Sequence, residues 1–202
     1  QVWLNLPRAR KFVNPHFKML WAENIPVFRY RDVQGNATEI NVIAGEIGNT
    51  AAPSPAPDSW AADPENEVAI WTIKMEPGAK WSIPTASPEV RRTLYYFEGQ
   101  ELNIAGLEID PYSAIELLPD IEVIVENGTS PAQFLLLQGI PIAEPVVQYG
   151  PFVMNSQAEI HQAFNDFRKT QFGGWPWDRS DQIHPRETGR FARYADGKIE
   201  MP

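Results

Sequence analysis

The residues that could carry out chemistry in this chain are few, and their spacing argues against most catalytic centres. The 202-residue sequence has three histidines, His16, His161 and His184, and no cysteine. The lack of cysteine excludes disulfides, thiolate zinc sites and cysteine nucleophiles. No two histidines have the spacing of metal ligands. We therefore expect solvated or packed histidines, of which only His161, beside a predicted apolar helix face, is placed to flank an interface.

Acid–base, nucleophilic and phosphate-binding sites are equally weakly indicated. Glu98 and Glu101 bracket Gly99 as a pair of carboxylates, but the pattern places them at a hairpin turn on the surface. No serine lies in a nucleophile elbow. The segment 45–48, which reads GEIG, lacks the lysine and the spacing of a phosphate loop. The sequence alone thus identifies no catalytic residue.

The composition is that of a folded domain with an acidic surface. Hydrophobic residues make up 43% of the chain, and the formal net charge is −9. No apolar run approaches the roughly 20 residues that a membrane span requires. The negative charge argues against direct binding of nucleic acid, because gripping the phosphate backbone needs clustered lysine and arginine. With no leader sequence visible, we expect a cytoplasmic protein without membrane or nucleic-acid contacts.

Short runs of β-branched and aromatic residues, separated by 19 prolines and 13 glycines, are typical of an all-β sandwich or barrel. The predicted strands are Glu39 to Ala44, Glu67 to Met75, Thr93 to Phe97, Leu102 to Ile104, Ser113 to Leu118, Ile121 to Glu126 and Gln133 to Gln138.

One long loop and one helix interrupt this pattern. Residues 47–67 are rich in alanine, proline and serine and predict a loop, in which Trp60 either anchors the loop or caps a pocket; we favour the anchor. A helix is predicted over 156–172, because Ser156 can cap it, Glu159 takes its third position and Gly173-Gly174 follows it. Its apolar face would consist of Ile160, Ala163, Phe164 and Phe167.

Several longer segments carry a family resemblance. They are QVWLNLPR (1–8), TLYYFEG (93–99), FLLLQGIPI (134–142), EPVVQYGPFVMN (144–155) and FGGWPWDRSDQIHPRETGRFAR (172–193). Together they resemble the C-terminal half of the pirin family, two-barrel members of the cupin superfamily. The resemblance implies a mainly β fold: a cupin-type barrel (double-stranded β-helix or jelly roll) with one C-terminal α-helix and an irregular tail.

The resemblance also implies a domain organisation. Residues 1–35 would be a strap leading in from an upstream barrel, residues 36–155 a metal-free cupin barrel, and residues 156–202 a helix and tail that pack on the barrel or at an interface. Metal-binding cupins place three histidines and one glutamate on two hairpin motifs. When these motifs are aligned through Gly99 and Pro119, the glutamate position falls on Arg92 and one histidine position on Ile124. Neither residue ligates a divalent metal, so this barrel is predicted to bind none.

Three functions remain open from the resemblance. The chain would support an upstream barrel that holds iron or another divalent metal and opens flavonols such as quercetin with dioxygen. Alternatively, the protein would be a redox-dependent regulator that binds a transcription factor or a metabolic enzyme. A third alternative is a metal-free barrel that binds a small ligand. The expected interface or entrance residues are Gln148, Tyr149, Phe152, Trp175 and Trp177, and the expected lumen residues are Trp71, Trp81, Tyr95 and Tyr96.

Overall fold

The structure, a computed structural model, describes residues 1–181 and 183–202. It divides into two compact units. The core unit comprises residues 23–141, and the terminal unit comprises residues 1–22 and 142–202. These boundaries differ from the division at 35 and 155 expected from sequence. Residues 27–31 form a strand of the core unit, while residues 142–155 belong with the helix.

The described residues form sixteen strands and one α-helix. In the core unit the strands are β1 Val27–Arg31, β2 Ala37–Ala44, β3 Glu46–Ile47, β4 Thr50–Ala51, β5 Ala69–Met75, β6 Lys80–Ile83, β7 Arg91–Glu98, β8 Leu102–Ile104, β9 Leu107–Glu108, β10 Ser113–Leu117, β11 Val123–Asn127 and β12 Ala132–Gly139. The terminal unit contains the strands β13 Val147–Tyr149, β14 Phe152–Met154, β15 Ala192–Arg193 and β16 Ile199–Glu200, and the helix α1 Gln157–Thr170.

The core unit consists mainly of two antiparallel sheets that share one hydrophobic core. The larger sheet has the order β1-β2-β5-β12-β7-β10, and the smaller has the order β6-β11-β8-β9. Alternate side chains of a strand point to the same face, so every second residue is buried over most of β2, β5, β7, β11 and β12. Strand β5 follows this rule with Ala69, Trp71, Ile73 and Met75 inward. Strands from both sheets supply the core, which places its centre between them.

Each predicted strand corresponds to an observed one, with ends shifted by up to two residues. Strand β1 was not predicted, although its full length pairs with β2. Strand β6 was also missed; it pairs with β11. The expected loop over 47–67 contains the hairpin strand β4 and two 3₁₀ turns, Trp60–Ala62 and Pro64–Asn66. The mainly β fold with one C-terminal α-helix is confirmed.

In the terminal unit, α1 is capped as its sequence predicts. The Ser156 hydroxyl accepts a hydrogen bond from the amide of Glu159 at 3.3 Å. The helix ends at Thr170, two residues before the predicted end, because Gln171 adopts the left-handed conformation. Ile160 and Ala163 are buried, whereas Phe167 is partly exposed. Gln182, in the predicted irregular tail, lies outside the described residues.

The carboxylate of Glu159 joins the helix start to the N-terminal segment. It forms an ion pair with Arg8, with 2.7 Å between Oε1 and Nε, and accepts a hydrogen bond from the Ser156 hydroxyl at 3.0 Å. Burial disfavours the charged form of Glu159, but the hydrogen bond from Ser156, the charge of Arg8 and the amide of Asn155 outweigh it, so the pKa of Glu159 is lowered. In the part of the chain that is described, no helix is long and apolar enough to span a membrane.

Candidate functional site

The inward faces of β5, β12 and β7 form successive rows of side chains, and the last row contains two polar residues. Trp71, Leu136 and Leu94 are in register across the three strands and are buried. Two residues further along, the next row pairs Gln138 with Arg92. Because strands alternate with a period of two, Arg92 points to the same side as Leu94 and is itself buried, with 3% of its surface exposed.

Arg92 is held by two hydrogen bonds to its neighbours. Its Nε donates to Oε1 of Gln138 at 2.8 Å, and its Nη1 donates to the carbonyl oxygen of Pro84 at 2.8 Å. The Gln138 side chain in turn donates to the carbonyl oxygen of Glu67 at 3.1 Å. Among the residues described, Nη2 of Arg92 has no hydrogen-bond partner, and no carboxylate lies within ion-pair distance of the guanidinium.

The charge of this group is only partly compensated. Burial lowers the pKa of the Arg92 guanidinium, and the negative charge of Glu67 partly offsets that effect. The Glu67 carboxylate is bound elsewhere: it accepts hydrogen bonds from the backbone amide of Ser87 at 3.1 Å and from the Ser87 hydroxyl. Arginine stays protonated in proteins, so the row ends in a buried positive charge that lacks a direct counter-ion.

A cavity of about 490 Å³ lies beside this row. Arg92, Gln138 and Trp71 form one part of its wall. The segment from Gly45 to Val68 and the segment Pro84 to Ala86 supply most of the remainder. Gly45 is needed for the close packing here, since a Cβ at this position would lie 2.5 Å from the carbonyl oxygen of Val68. The volume is in the range of pockets that hold small organic ligands, which is roughly 300–1,000 Å³.

Trp60 anchors the segment that covers the cavity. Its indole Nε1 donates to the carbonyl oxygen of Ile140 at 2.9 Å, and the Asn66 side chain donates to the carbonyl oxygen of Trp60 at 2.7 Å. The amide of Ile140 closes the loop by donating to the carbonyl oxygen of Asn66 at 2.8 Å. Trp60 itself does not line the cavity, whereas Ala61 and Ala62 do. The contacts therefore support the anchoring role over the capping role.

Two positions of the core unit that align with expected cupin metal ligands hold side chains that do not ligate a metal. Arg92 occupies the position aligned with a glutamate ligand, and a guanidinium has no lone pair for a metal. Ile124, aligned with a histidine ligand, is 40% exposed, so any side chain there would point away from the core. Within residues 1–181 and 183–202, no three His, Cys, Asp or Glu side chains are grouped as a metal site.

The four residues expected in the lumen have different surroundings. Trp71 lines the cavity, and its Nε1 is buried without a hydrogen-bond partner among the described residues. Trp81 and Tyr96 are part of the packed core. The expectation for Tyr95 is corrected: it is 39% exposed on the outer face of β7, because neighbouring residues in a strand point to opposite sides.

The terminal unit carries a second concave surface, a mostly apolar groove of about 810 Å³. Its lining residues include Trp3, Leu4, Leu6, Phe12, Val13, Phe152, Val153, Met154 and Phe172. Trp3 and Phe12 are each more than 60% exposed. Large apolar surfaces of this kind are typical of protein–protein contacts.

The expected interface residues divide between this groove and the tail. Gln148 and Phe152 line the groove. Tyr149 lies next to it, with its ring 5.8 Å from that of Phe164. Trp175 and Trp177 are not among the lining residues. Trp175 donates to the carbonyl oxygen of Arg179 at 2.7 Å, while Trp177 stacks under Arg193 at 4.8 Å. The structure therefore does not bring the five residues into one surface.

The sequence did not predict that Arg92 would be a buried cation in the wall of a cavity. The motif alignment identified the residue only as a replaced ligand. The available signal was the alternation over Val90, Arg92, Leu94 and Tyr96, which places an arginine on the otherwise apolar face of a strand. Gln138, its partner in β12, lies 46 residues away in sequence, and nothing local pairs the two.

Comparison with known proteins gives consistent matches. Residues 70–173 match the family model described as Pirin C-terminal cupin domain. The chain is 32% identical over 178 residues to Pirin-1 of Arabidopsis thaliana, which covers 86% of this chain and 57% of that protein. It is 31% identical to a putative quercetin 2,3-dioxygenase of Pseudomonas aeruginosa, covering 85% of this chain and 56% of the relative.

A solved structure shares the fold. A quercetin 2,3-dioxygenase from Acinetobacter baumannii superposes with a TM-score of 0.70 at 27% identity, covering 85% of this chain and 55% of that one. The chain thus spans somewhat more than half the length of each of these three proteins.

Proposed function

Because this chain belongs to the pirin family and carries the Pirin C-terminal cupin domain, we propose that it is the non-metal-binding half of a two-barrel protein with quercetin 2,3-dioxygenase-like activity. In this proposal, a second cupin barrel upstream holds iron or another divalent metal, which supplies the reaction with dioxygen. This chain supports that barrel and takes no part in metal binding.

The observation that carries the proposal is the occupation of the ligand position by Arg92. A buried guanidinium beside the cavity repels a divalent cation and offers it no ligand atom with a free lone pair. It is also fixed by Gln138 and Pro84, so it does not swing away without losing two hydrogen bonds. The extra length of the matched relatives leaves room for a second domain that provides the ligands.

The apolar groove of the terminal unit is the surface that we assign to the upstream barrel. Gln148 and Phe152, both expected at an interface, line it, and exposed Phe12 adds a large apolar side chain. Its apolar lining favours a permanent intramolecular contact, since lasting interfaces resemble a domain core. Tyr149, at its edge, has an exposed ring able to extend the contact.

The first experiment measures metal content by elemental mass spectrometry. We expect about one metal ion per molecule in the full-length protein and none above background in the 202-residue chain. Stoichiometric metal in the short chain would contradict the proposal. Quercetin decay under dioxygen by the metal-loaded full-length protein tests the reaction; a loaded protein that is inactive but copurifies with a stoichiometric protein partner would favour the regulatory alternative.

The second experiment tests the interface in the full-length protein. Phe12→Asp places a charge in the groove and should increase hydrogen exchange of the amides in β14, because water gains access to the contact. Tyr112→Asp is the matched control: Tyr112 is 86% exposed, belongs to the core unit and is not among the residues that line the groove. Equal exchange in both variants would refute the assignment of the groove to the upstream barrel.

A further inference from the structure

The cavity of the core unit contains a hydrogen-bond donor that the protein itself leaves unpaired. The Nη2 group of Arg92 has no partner among the described residues, and the Arg92 side chain lines the cavity. Buried donors without partners are rare in folded proteins, because each loses its hydrogen bonds to water. The unpaired Nη2 group belongs to a side chain that is 3% exposed, so it points to an acceptor that binds in the cavity.

The charge of the cavity selects the kind of acceptor. The positive charge of Arg92 favours an anion, and a guanidinium fits the geometry of a carboxylate. Glu46, Asp63 and Glu67 also line the cavity and oppose a highly charged ligand. Two of these are already engaged, since Asp63 caps the turn at Glu65 and Glu67 binds Ser87. A single negative charge is therefore better matched to the site than a phosphate dianion.

The remaining wall selects the body of the ligand. Ile47, Ala52, Pro53, Val68 and Pro84 present apolar surface on several sides. With Trp71 they form a compartment suited to a flat or compact apolar group rather than to a sugar or a peptide. The volume of about 490 Å³ accommodates a ligand the size of an aromatic acid.

We propose that this cavity binds a small monocarboxylic acid with an apolar, aromatic body, whose carboxylate is held by Arg92. The site is separate from the proposed metal chemistry of the upstream barrel and does not depend on it. The cavity takes an organic anion at the position where metal-binding cupins are expected to place a ligand to a cation.

The test uses the 202-residue chain and benzoate as the probe. Titration is followed by ¹H–¹⁵N NMR of the indole and arginine Nε–H signals, with Trp71→Phe and Arg92→Gln assigning the two resonances. We expect saturable shifts of both signals, and at least tenfold weaker binding of benzamide, which has the same shape without the charge. No saturable shift, or equal binding of the two probes, would overturn the proposal.

Variants separate a specific site from weak surface binding. Arg92→Gln should weaken benzoate binding at least tenfold, because it removes the positive charge that holds the carboxylate. Arg91→Gln is the matched control, because Arg91 immediately precedes Arg92 in β7 and is exposed. An equal loss in Arg91→Gln would refute the site. The titration of the unmodified chain decides the question even where Arg92→Gln fails to fold.

Discussion

The replacement of Tyr96 by phenylalanine should stabilise the core unit. The Tyr96 ring is 1% exposed and stacks on Phe134, with 5.2 Å between the ring centroids. Its hydroxyl is buried and has no hydrogen-bond partner among the described residues. Gly99 packs directly over the ring: a Cβ at this position would lie 2.7 Å from Cε2 of Tyr96 and closer still to its hydroxyl oxygen.

The magnitude follows from what the substitution removes and what it leaves. An unsatisfied buried hydroxyl costs about 1–3 kcal/mol relative to its hydration in the unfolded chain. Removing the oxygen leaves a void of roughly 10–15 Å³, which at about 24 cal/mol per Å³ costs only about 0.3 kcal/mol. The stacked contact with Phe134 is retained. Tyr96→Phe should therefore raise the free energy of unfolding by about 1–2 kcal/mol.

The assay is equilibrium unfolding in urea, read from hydrogen exchange of the amides in β7 and β12 so that the core unit is followed by itself. Tyr95→Phe is the matched control. Tyr95 is exposed, so removal of its hydroxyl should change the free energy of unfolding by no more than about 0.5 kcal/mol. A loss of more than about 1 kcal/mol in Tyr96→Phe would refute the reasoning, since it would mean that the hydroxyl has a hydrogen-bond partner.

A substitution at Gly99 tests whether this glycine contacts the buried hydroxyl of Tyr96. Gly99→Ala should destabilise the protein, because Gly99 has a φ of +142° and its new methyl group would collide with the Tyr96 hydroxyl. Part of this cost should disappear when Tyr96 is already phenylalanine. Coupling of about 0.5 kcal/mol or more between the two sites is expected from their contact. Simple additivity would show that the hydroxyl does not meet Gly99.

Two further predictions concern the terminal unit and the segment over the cavity. Because the pKa of Glu159 is lowered in the folded chain, its stabilising ion pair with Arg8 is complete above about pH 4.3 and is lost as the pH falls through the lower folded pKa. Glu159→Gln should reduce the helical circular dichroism signal at neutral pH, and its signal should equal that of the unmodified chain in acid. Asp166→Asn is the control and should lose helical signal in acid as the unmodified chain does. Trp60→Phe removes the hydrogen bond to the carbonyl of Ile140 and should cost about 1–2 kcal/mol, with faster exchange of the Ile140 amide; unchanged exchange would contradict the anchoring role of Trp60.

Local patterns in the sequence were sufficient for most of the core unit. The alternation over β5 and β12 predicted these strands because both bury every second residue. Strand β1 escaped prediction because Pro26 precedes it and its outward residues are polar; it gains regular structure by pairing with β2. The cap of α1 was predicted because Ser156 and Glu159 form a local motif, whereas its end depends on the backbone of Gln171, for which the sequence has no glycine.

The candidate site was less predictable because it depends on contacts between distant strands. The sequence identified Arg92 and Trp71 as separate residues, but only the register of β5, β12 and β7 places them in adjacent rows beside one cavity. Tyr95 was assigned to the lumen together with Tyr96, although the period of two along a strand allows only one of them to face inward.

The arrangement around Arg92 also indicates what a metal site at this position would require. Arg92→Glu would restore one carboxylate, but it would remove the donor to Gln138 and place a negative charge near Glu67. A histidine at Ile124 would point to solvent, so it would not complete a ligand set. Converting the cavity into a cation site thus requires several inward substitutions together with a change in the register or direction of side chains on β11. Retaining the guanidinium requires only an acceptor for the Nη2 group that is left unpaired.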